Sequence, residues 1–388
     1  MIRARIGLPV ALLGCAGCAH LFGPQPATGW LELLRVHWGP AGGEHFGSAL
    51  CDIGDWSGDG RSDYAIGAPA EVQIVSGATG GTLRRLEAPP GASGFGGALC
   101  AHPDLDGDGR TDLAVGVLGR FPEEAWAVEI RSSKDDRVLR TLHPPGNGRA
   151  LAFLPSPKDP SDSLLLAASL VTPKNGDSSA NVVAFRCGDG TIAYRFEDPE
   201  KRLAPDVARC GDVDGDGFPD FAVPGSRRSV FVVSGKSGQL VHVLQSSIQG
   251  RVLPTDDALD LDRDGTPDVA LAEIVQDTMT LDGGVEILSG RDGRRLWSTR
   301  CPAADGTFLR VGGRTALAVV GPGSFALFDL LADLPVCRLK MSTSDCPNLT
   351  WIGDVNGDGK DDLAVTDERA HGFVGIVSRR TLEEMLRG

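Results

Sequence analysis

The chain has 388 residues, with 38 basic and 52 acidic side chains and a formal charge of −14. The basic residues form no stripe or cluster, which argues against a nucleic-acid partner.

Residues 1–20, MIRARIGLPVALLGCAGCAH, set Arg3 and Arg5 before a short apolar run that ends in small residues and cysteines. That order is a secretory signal, and the run is too short for a spanning helix. The LLGC stretch ending at Cys15 resembles a bacterial lipoprotein cleavage box. The resemblance implies lipidation at Cys15, with Cys18 as the alternative acceptor and ordinary cleavage near Ala19 as the other outcome. The expected address is extracytoplasmic: periplasmic, secreted, or held at the membrane by a lipid. Residues 21–28 form a short linker, and 29–388 a single domain.

The domain opens with WLELLRVHWGPAGGEHFGSAL (Trp30 to Leu50), which repeats the pattern of LRRLEAPPGASGFGGAL ending at Leu99. By that match, Trp30 to Trp38 is a β-strand of the kind that ends a repeat. It precedes the first of five acidic nine-residue loops: DWSGDGRSD (Asp55 to Asp63), DLDGDGRTD (Asp104 to Asp112), DVDGDGFPD (Asp212 to Asp220), DLDRDGTPD (Asp260 to Asp268) and DVNGDGKDD (Asp354 to Asp362). Positions 1, 3, 5 and 9 carry oxygen side chains. They are Asp55, Ser57, Asp59 and Asp63, then Asp104, Asp106, Asp108 and Asp112, then Asp212, Asp214, Asp216 and Asp220. The last two loops supply Asp260, Asp262, Asp264 and Asp268, then Asp354, Asn356, Asp358 and Asp362. Glycine at position 6 permits a sharp turn. Position 7 (Arg61, Arg110, Phe218, Thr266, Lys360) offers a backbone carbonyl.

Calcium takes six to eight oxygen ligands in flexible geometry, and magnesium is stricter, so the expected cofactor is calcium, up to five ions. Unneutralised carboxylates crowded into one loop repel each other, and an Asp/Gly-rich surface turn would not repeat that cost five times. Five calcium ions would bring the charge from −14 to −4, so most of the acidity is explained by ligation. A helical EF-hand needs a glutamate at position 12. Here that position is Ile66, Val115, Val223, Leu271 and Val365, each in a strand-like run.

The loop starts lie 49, 108, 48 and 94 residues apart, so each long gap hides a copy without a cage. These degenerate copies fall near 155–163, where Pro155 and Pro157 replace ligands, and near 309–316, inside FLRVGGRTALAVVG. After each copy comes a recurring segment, and most of these show two β-rich runs around a turn, such as EVQIVSGATGGTLRRLEAP; the last ends weakly. Seven units of about 51 residues with four strands each predict an all-β fold, a seven-bladed β-propeller of four-stranded antiparallel blades. The N-terminal strand is expected to complete the last blade and close the ring, removing exposed sheet edges.

The units resemble FG-GAP repeats, the building block of the integrin alpha-subunit propeller. The first unit carries Phe46-Gly47, its acidic loop and Gly67-Ala68-Pro69; the second keeps Phe95-Gly96; later units keep the loop alone. In that family the cage bridges the first two strands of a blade.

Seven cysteines follow the leader, and their spacing does not suggest zinc. Cys51 and Cys100 occupy equivalent core positions, and Cys337 with Cys346 is one candidate bridge. None of the seven histidines lies in a nucleophile or zinc motif. A meander puts cages and strand 3–4 turns on one face, which directs partners to the opposite face. Its long loops, Gly119 to Trp126, Val171 to Asn181 and Glu273 to Gly283, carry Phe121, Trp126, Lys174 and Asp277; Phe121 and Trp126 are the candidate partner contacts. The expected function is a non-enzymatic, calcium-stabilised binding or scaffold propeller for a protein or glycan at the cell envelope, monomeric and without nucleic acid. The alternative is a polysaccharide lyase or hydrolase on the same scaffold.

Overall fold

A computed structural model describes residues 33–39, 45–119, 126–172, 178–274, 283–301, 303–321, 324–332, 335–340, 348–367 and 372–387. The leader, Cys15, Phe121, Lys174, Asp277 and Cys346 lie outside them.

The strands form seven sheets of four, each pairing its strands antiparallel. In six blades the four strands run consecutively. Blade 1, for example, is Leu50–Gly54, Asp63–Ala68, Glu71–Val75 and Thr82–Glu87. Blade 7 takes three strands from the C-terminal end, Leu349–Trp351, Leu363–Asp367 and Phe373–Val377, and its fourth from Leu33–Trp38. The closing strand runs antiparallel to Phe373–Val377, with Val36 opposite Gly375. The first strands of neighbouring blades touch in an unbroken circle. The all-β, seven-bladed propeller closed by its N-terminal strand is therefore the fold.

The burial pattern explains the ring. Second and third strands are buried on both faces, as in YAIGA or SVFVV, whereas fourth strands alternate, with exposed Leu83, Val138, Ile192 and Leu240 on the outside. A sheet buried on both faces needs a neighbour on each side. Seven hydrophobic clusters fill the seven junctions; one joins Tyr64, Ile66 and Val75 of blade 1 to Ile352, Val374 and Ile376 of blade 7. Another joins Leu166 and Val182 of blade 3 to Phe221 and Phe231 of blade 4.

Polar clamps cross the same junctions. At one equivalent fourth-strand position, Arg35, Arg84, Arg140 and Tyr194 reach the strand 3–4 turn of the next blade. Arg35 donates to Gly77 O and Ala78 O, Arg84 to Ser133 O and Lys134 O, and Arg140 to Cys187 O and Gly188 O. The Tyr194 hydroxyl donates to Gly235 O at 2.6 Å. The Phe-Gly and Gly-Ala-Pro segments also work between blades: a Cβ on Gly67 would lie 1.9 Å from Gly96 O, and Phe95 N donates to Pro69 O.

The final unit supplies three strands of its blade, as expected, and then a helix that was not. After Val377 the chain forms a helix, Arg379–Arg387, because the outer edge of blade 7 is already filled by the N-terminal strand. Leu382 and Leu386 bury against Cys337, Leu339 and Leu349. Buried Glu383 accepts from Lys360 and pairs with Arg379 and Arg387, and these cations hold its carboxyl below the usual range despite burial.

Leu382→Ala is expected to cost about 2–5 kcal/mol of stability through the cavity it leaves. Urea denaturation reads this directly; a loss below about 1 kcal/mol would mean the helix does not seal blade 7.

Candidate functional site

All five acidic loops connect the first and second strands of their blades. The position-12 residues lie inside second strands, so no helix follows the loops. Each loop has two left-handed residues. Position 6 is always glycine, from Gly359 at φ 82 to Gly265 at φ 87, and position 4 is glycine except for Arg263 at φ 60. A side chain in that region is strained, so both positions select against most residues.

Three sets of hydrogen bonds shape the loop. The position-1 carboxylate gathers loop N–H groups: Asp55 accepts from Gly58, Asp59 and Gly60 at 2.7, 3.0 and 2.8 Å. Slight burial works against ionisation of Asp55, but the N–H groups of Gly60, Gly58 and Asp59 outweigh it and hold the carboxyl below its ordinary value. The position-5 carboxylate accepts from the N–H of position 7, as Asp108 does from Arg110 at 2.9 Å.

The position-9 aspartates, Asp63, Asp112, Asp220, Asp268 and Asp362, are all fully buried. One oxygen accepts from the start of the loop, as Asp112 does from Leu105 N at 2.8 Å and Asp220 from Val213 N at 2.9 Å. The other reaches the segment after the third strand: in the strand 3–4 turns Gly77 N donates to Asp63, Ser133 N to Asp112 and Gly235 N to Asp220, and in blade 7 Arg379 N, at the start of the helix, donates to Asp362, at 2.8 to 3.2 Å. This residue thus joins both turns of its blade. Sequence spacing identified the aspartate but not its partners after the third strand, whose only signal is the serine that precedes each donor, Ser76, Ser132, Ser234 and Ser378.

The carboxylates converge to different degrees. Asp104, Asp106 and Asp108 bring oxygens within 4.8 Å of one another, as do Asp212, Asp214 and Asp220, and Asp260, Asp262 and Asp264. The loops of blades 1 and 7 make no such three-carboxylate group among the described residues, since Ser57 and Asn356 stand at position 3. Ser57 Oγ donates to Asp55, and Asn356 Nδ2 donates to both oxygens of Asp362 at 2.8 Å.

The donor sets suit a hard cation. Asp106 Oδ1 is buried without a hydrogen-bond partner, a costly state for a carboxylate oxygen. Cationic side chains stand at the rims: Arg137 lies 3.1 Å from Asp106, Arg294 3.0 Å from Asp262, and Lys236 3.8 Å from Asp216. All three are well exposed, and such pairs contribute at most about 1 kcal/mol, so they compete weakly with a divalent ion. Position-7 side chains have a separate task in two loops. Arg110 donates to Trp56 O at 2.6 Å, Arg61 reaches Val355 O, and each thereby ties its loop to that of the preceding blade. Phe218 packs beside Gly235, and Lys360 bonds Glu383.

The partner-surface expectation fails at Trp126. Its ring is 1% exposed, in the core between blades 2 and 3, where it lies against Gly116 and takes the space a side chain on Gly148 would need. Small residues opposite it left room for an indole that the sequence alone placed on a loop. The long loop of blade 3, Val171 to Asn181, is also shorter than expected, because the strand Ser179–Arg186 begins within it. Cys51 is buried and Cys100 half-buried in equivalent first strands, and burial raises both thiol pKa values. His102 is buried with Nδ1 2.8 Å from Pro103 O.

The sequence matches no family model and no curated protein. Among solved structures, the chain is similar to BBS1N in two crystal structures of its complex with ARL6DN, one soaked with lead and one with mercury. The lead-soaked structure superposes with a TM-score of 0.62 at 13% identity, over 91% of this chain and 98% of that one. The mercury-soaked structure gives 0.62 at 12% identity, over 90% and 98%. At this identity the likeness is one of fold.

Burial pushes Asp112 up to about 6, and Asp220, Asp268 and Asp362 to about 7, from an ordinary value of 3.8. A carboxyl raised in the folded state stabilises below its unfolded pKa and loses that contribution as pH rises through the folded value. Buried His37 and His102, with lowered pKa values, act oppositely below about pH 6.5. Metal-free protein is therefore expected to lose stability between pH 6.5 and 8, as measured by denaturant unfolding in chelator. Increasing stability across that window would contradict the burial of these carboxyls.

Proposed function

We propose that this propeller is a calcium-stabilised, non-enzymatic interaction scaffold of the FG-GAP type that works outside the cytoplasm at the cell envelope. The observation that carries the metal reading is the convergence of three carboxylates in each of blades 2, 4 and 5. The buried, unpaired oxygen of Asp106 supports it. The position-1, 3, 5 and 9 side chains, with the position-7 carbonyl, would hold each ion. Bound calcium would neutralise the crowded carboxylates and stiffen the link between the two turns of a blade. Blades 1 and 7 would bind more weakly, because Ser57 and Asn356 bring no charge.

The scaffold role rests on a further comparison: a propeller of the same fold, BBS1N, is held in complex with a partner, ARL6DN. The larger cleft at the strand 1–2 end is lined by Asp256 and Asp361 with three arginines, the groups on which the enzymatic alternative would draw, and the turnover assay below decides between the two readings. Extracellular calcium modules bind with dissociation constants of about 0.1–1 mM, which suits the address implied by residues 1–20.

With a dissociation constant of about 0.1 mM, 1 mM calcium adds about 1.4 kcal/mol per site. Calcium is expected to raise the melting temperature of the chelated protein by several degrees, and Asp104→Asn, Asp212→Asn and Asp260→Asn together to remove most of the rise. An unchanged melting temperature would refute the metal role. Incubation of the calcium-loaded protein with acidic and neutral polysaccharides should release no reducing or unsaturated ends; their appearance would establish the enzymatic alternative. In a bacterial host, Cys15→Ser is expected to abolish incorporation of a labelled fatty acid. Label retained in that variant would place the lipid elsewhere, at Cys18 first, and absence of label from the unaltered chain would favour simple cleavage.

A further inference from the structure

Blade 6 differs from every cage-bearing blade in one respect. Its first two strands, Asp305–Val311 and Arg314–Gly321, are joined by Gly312 and Gly313 alone, with φ of 55 and 81. Where its neighbours raise an acidic loop, blade 6 leaves a notch. Two clefts flank this turn and share Arg310 and Thr315. The larger, about 450 Å³, is walled by Arg209 of blade 4, Thr255 and Leu259 of blade 5, Phe308 of blade 6, and Trp351 and Arg379 of blade 7. The smaller, about 220 Å³, runs past Gly313 to Leu330 and Leu331, the latter 74% exposed.

The charges in the notch are unusual for this acidic chain. Most arginines elsewhere on the cage face are committed: Arg137 and Arg294 pair with loop carboxylates, and Arg61 and Arg110 bond neighbouring loops. The guanidinium groups of Arg209 and Arg310 have no hydrogen-bond or ion-pair partner among the described residues, and Arg209 Nε is buried in that state. The Arg379 guanidinium lies over Trp351, 5.6 Å from the ring centroid, and donates to Arg310 O at 2.9 Å. Asp256 and Asp361 also line the larger cleft and leave it one positive charge in balance. A guanidinium presents a planar fork that matches a carboxylate, and burying it unpaired is costly.

We propose that this notch, on the cage face rather than the opposite one, is the docking site for an extended acidic peptide segment of a partner protein. The inference rests on the scaffold reading above and names its site and partner chemistry. Two adjoining clefts that share Arg310 and Thr315 suit an extended chain with spaced carboxylates better than a compact anion. Arg379 covers a face of Trp351, which leaves that face unavailable for stacking on a sugar ring, so a peptide is favoured over an acidic glycan. Leu330 and Leu331 give the smaller cleft an apolar end for a neighbouring side chain.

The test is fluorescence anisotropy with labelled hexaglutamate, with trigalacturonate and inorganic phosphate as unlabelled competitors, in 1 mM calcium. Hexaglutamate is expected to bind, with about tenfold weakening for Arg310→Glu and for Arg209→Met. Arg195→Ala, which removes an exposed arginine on the outer strand of blade 3, should leave binding unchanged. Melting temperatures of the variants confirm folding; because Arg310 is exposed, Arg310→Glu keeps the test sound if Arg209→Met unfolds. Equal binding by wild type and Arg310→Glu would overturn the proposal, as would loss with Arg195→Ala equal to that with Arg310→Glu. Displacement by trigalacturonate or phosphate at concentrations below those of unlabelled hexaglutamate would overturn the peptide assignment. If a natural partner is still held by the folded Arg310→Glu variant, the notch is refuted and the scaffold reading survives; turnover of a polysaccharide would refute the scaffold reading itself.

Discussion

The constraint on which the structure depends is that every blade must have both faces covered. Strands such as YAIGA and SVFVV present apolar side chains to both sides, and a sheet of that kind is stable only between two others. A row of such sheets would expose apolar faces at its ends, whereas a closed ring has none. Closure makes the first and last segments of the domain interdependent: Leu33–Trp38 supplies the outer strand of blade 7, and the chain beyond Val377 must turn aside as a helix. The arginine clamps from fourth strands to the next blade's turn act at the rim of the same junctions. They combine charge with carbonyl groups that no strand partner satisfies.

The acidic loops sit on this frame as joints. Their fully buried position-9 aspartates bond both ends of a blade's cage face, so the loop geometry is set by the protein before any ion enters. That preorganisation has an electrostatic cost, visible in carboxyls pushed to about 6 or 7 by burial. On the calcium reading proposed above, a divalent cation would remove it. On our reading the same residues therefore serve both as covalently anchored hydrogen-bond acceptors and as ligands, and blades 3 and 6 show that a blade can dispense with them. In blade 3 the replacement is a short turn in which Asp159 caps Pro160–Asp162. In blade 6 it is two glycines, and the missing loop becomes the notch flanked by Arg209 and Arg310.

Much of this was legible in the sequence because it is periodic. Spacing between acidic loops located two hidden copies, alternation within short runs located strands, and the match of Trp30–Leu50 to a later segment located the closing strand. Local chemistry also specified the loops: oxygen side chains at alternate positions and glycine where φ turns positive are requirements of the turn itself. Resemblance to FG-GAP repeats drew on those same residues and so pointed to the right fold.

What periodicity could not show were the contacts between blades, since these join residues distant in sequence. Trp126 followed a long loop and looked like a surface aromatic; only the glycines at 116 and 148, brought opposite it by two different blades, make room to bury it. The C-terminal segment was expected only to end without a fourth strand of its own; that it turns into a helix sealing the junction of blades 6 and 7 depends on contacts with Cys337, Leu339 and Leu349. Arg209 and Arg310 are about 100 residues apart and unremarkable in their local sequence. The chain by itself determined repeat number, strand pattern and acidic loop chemistry, because each depends on residues a few positions apart. The tertiary structure alone decided which arginines are paired, which aromatics are buried and where the rim is open, because those depend on which blade stands next to which.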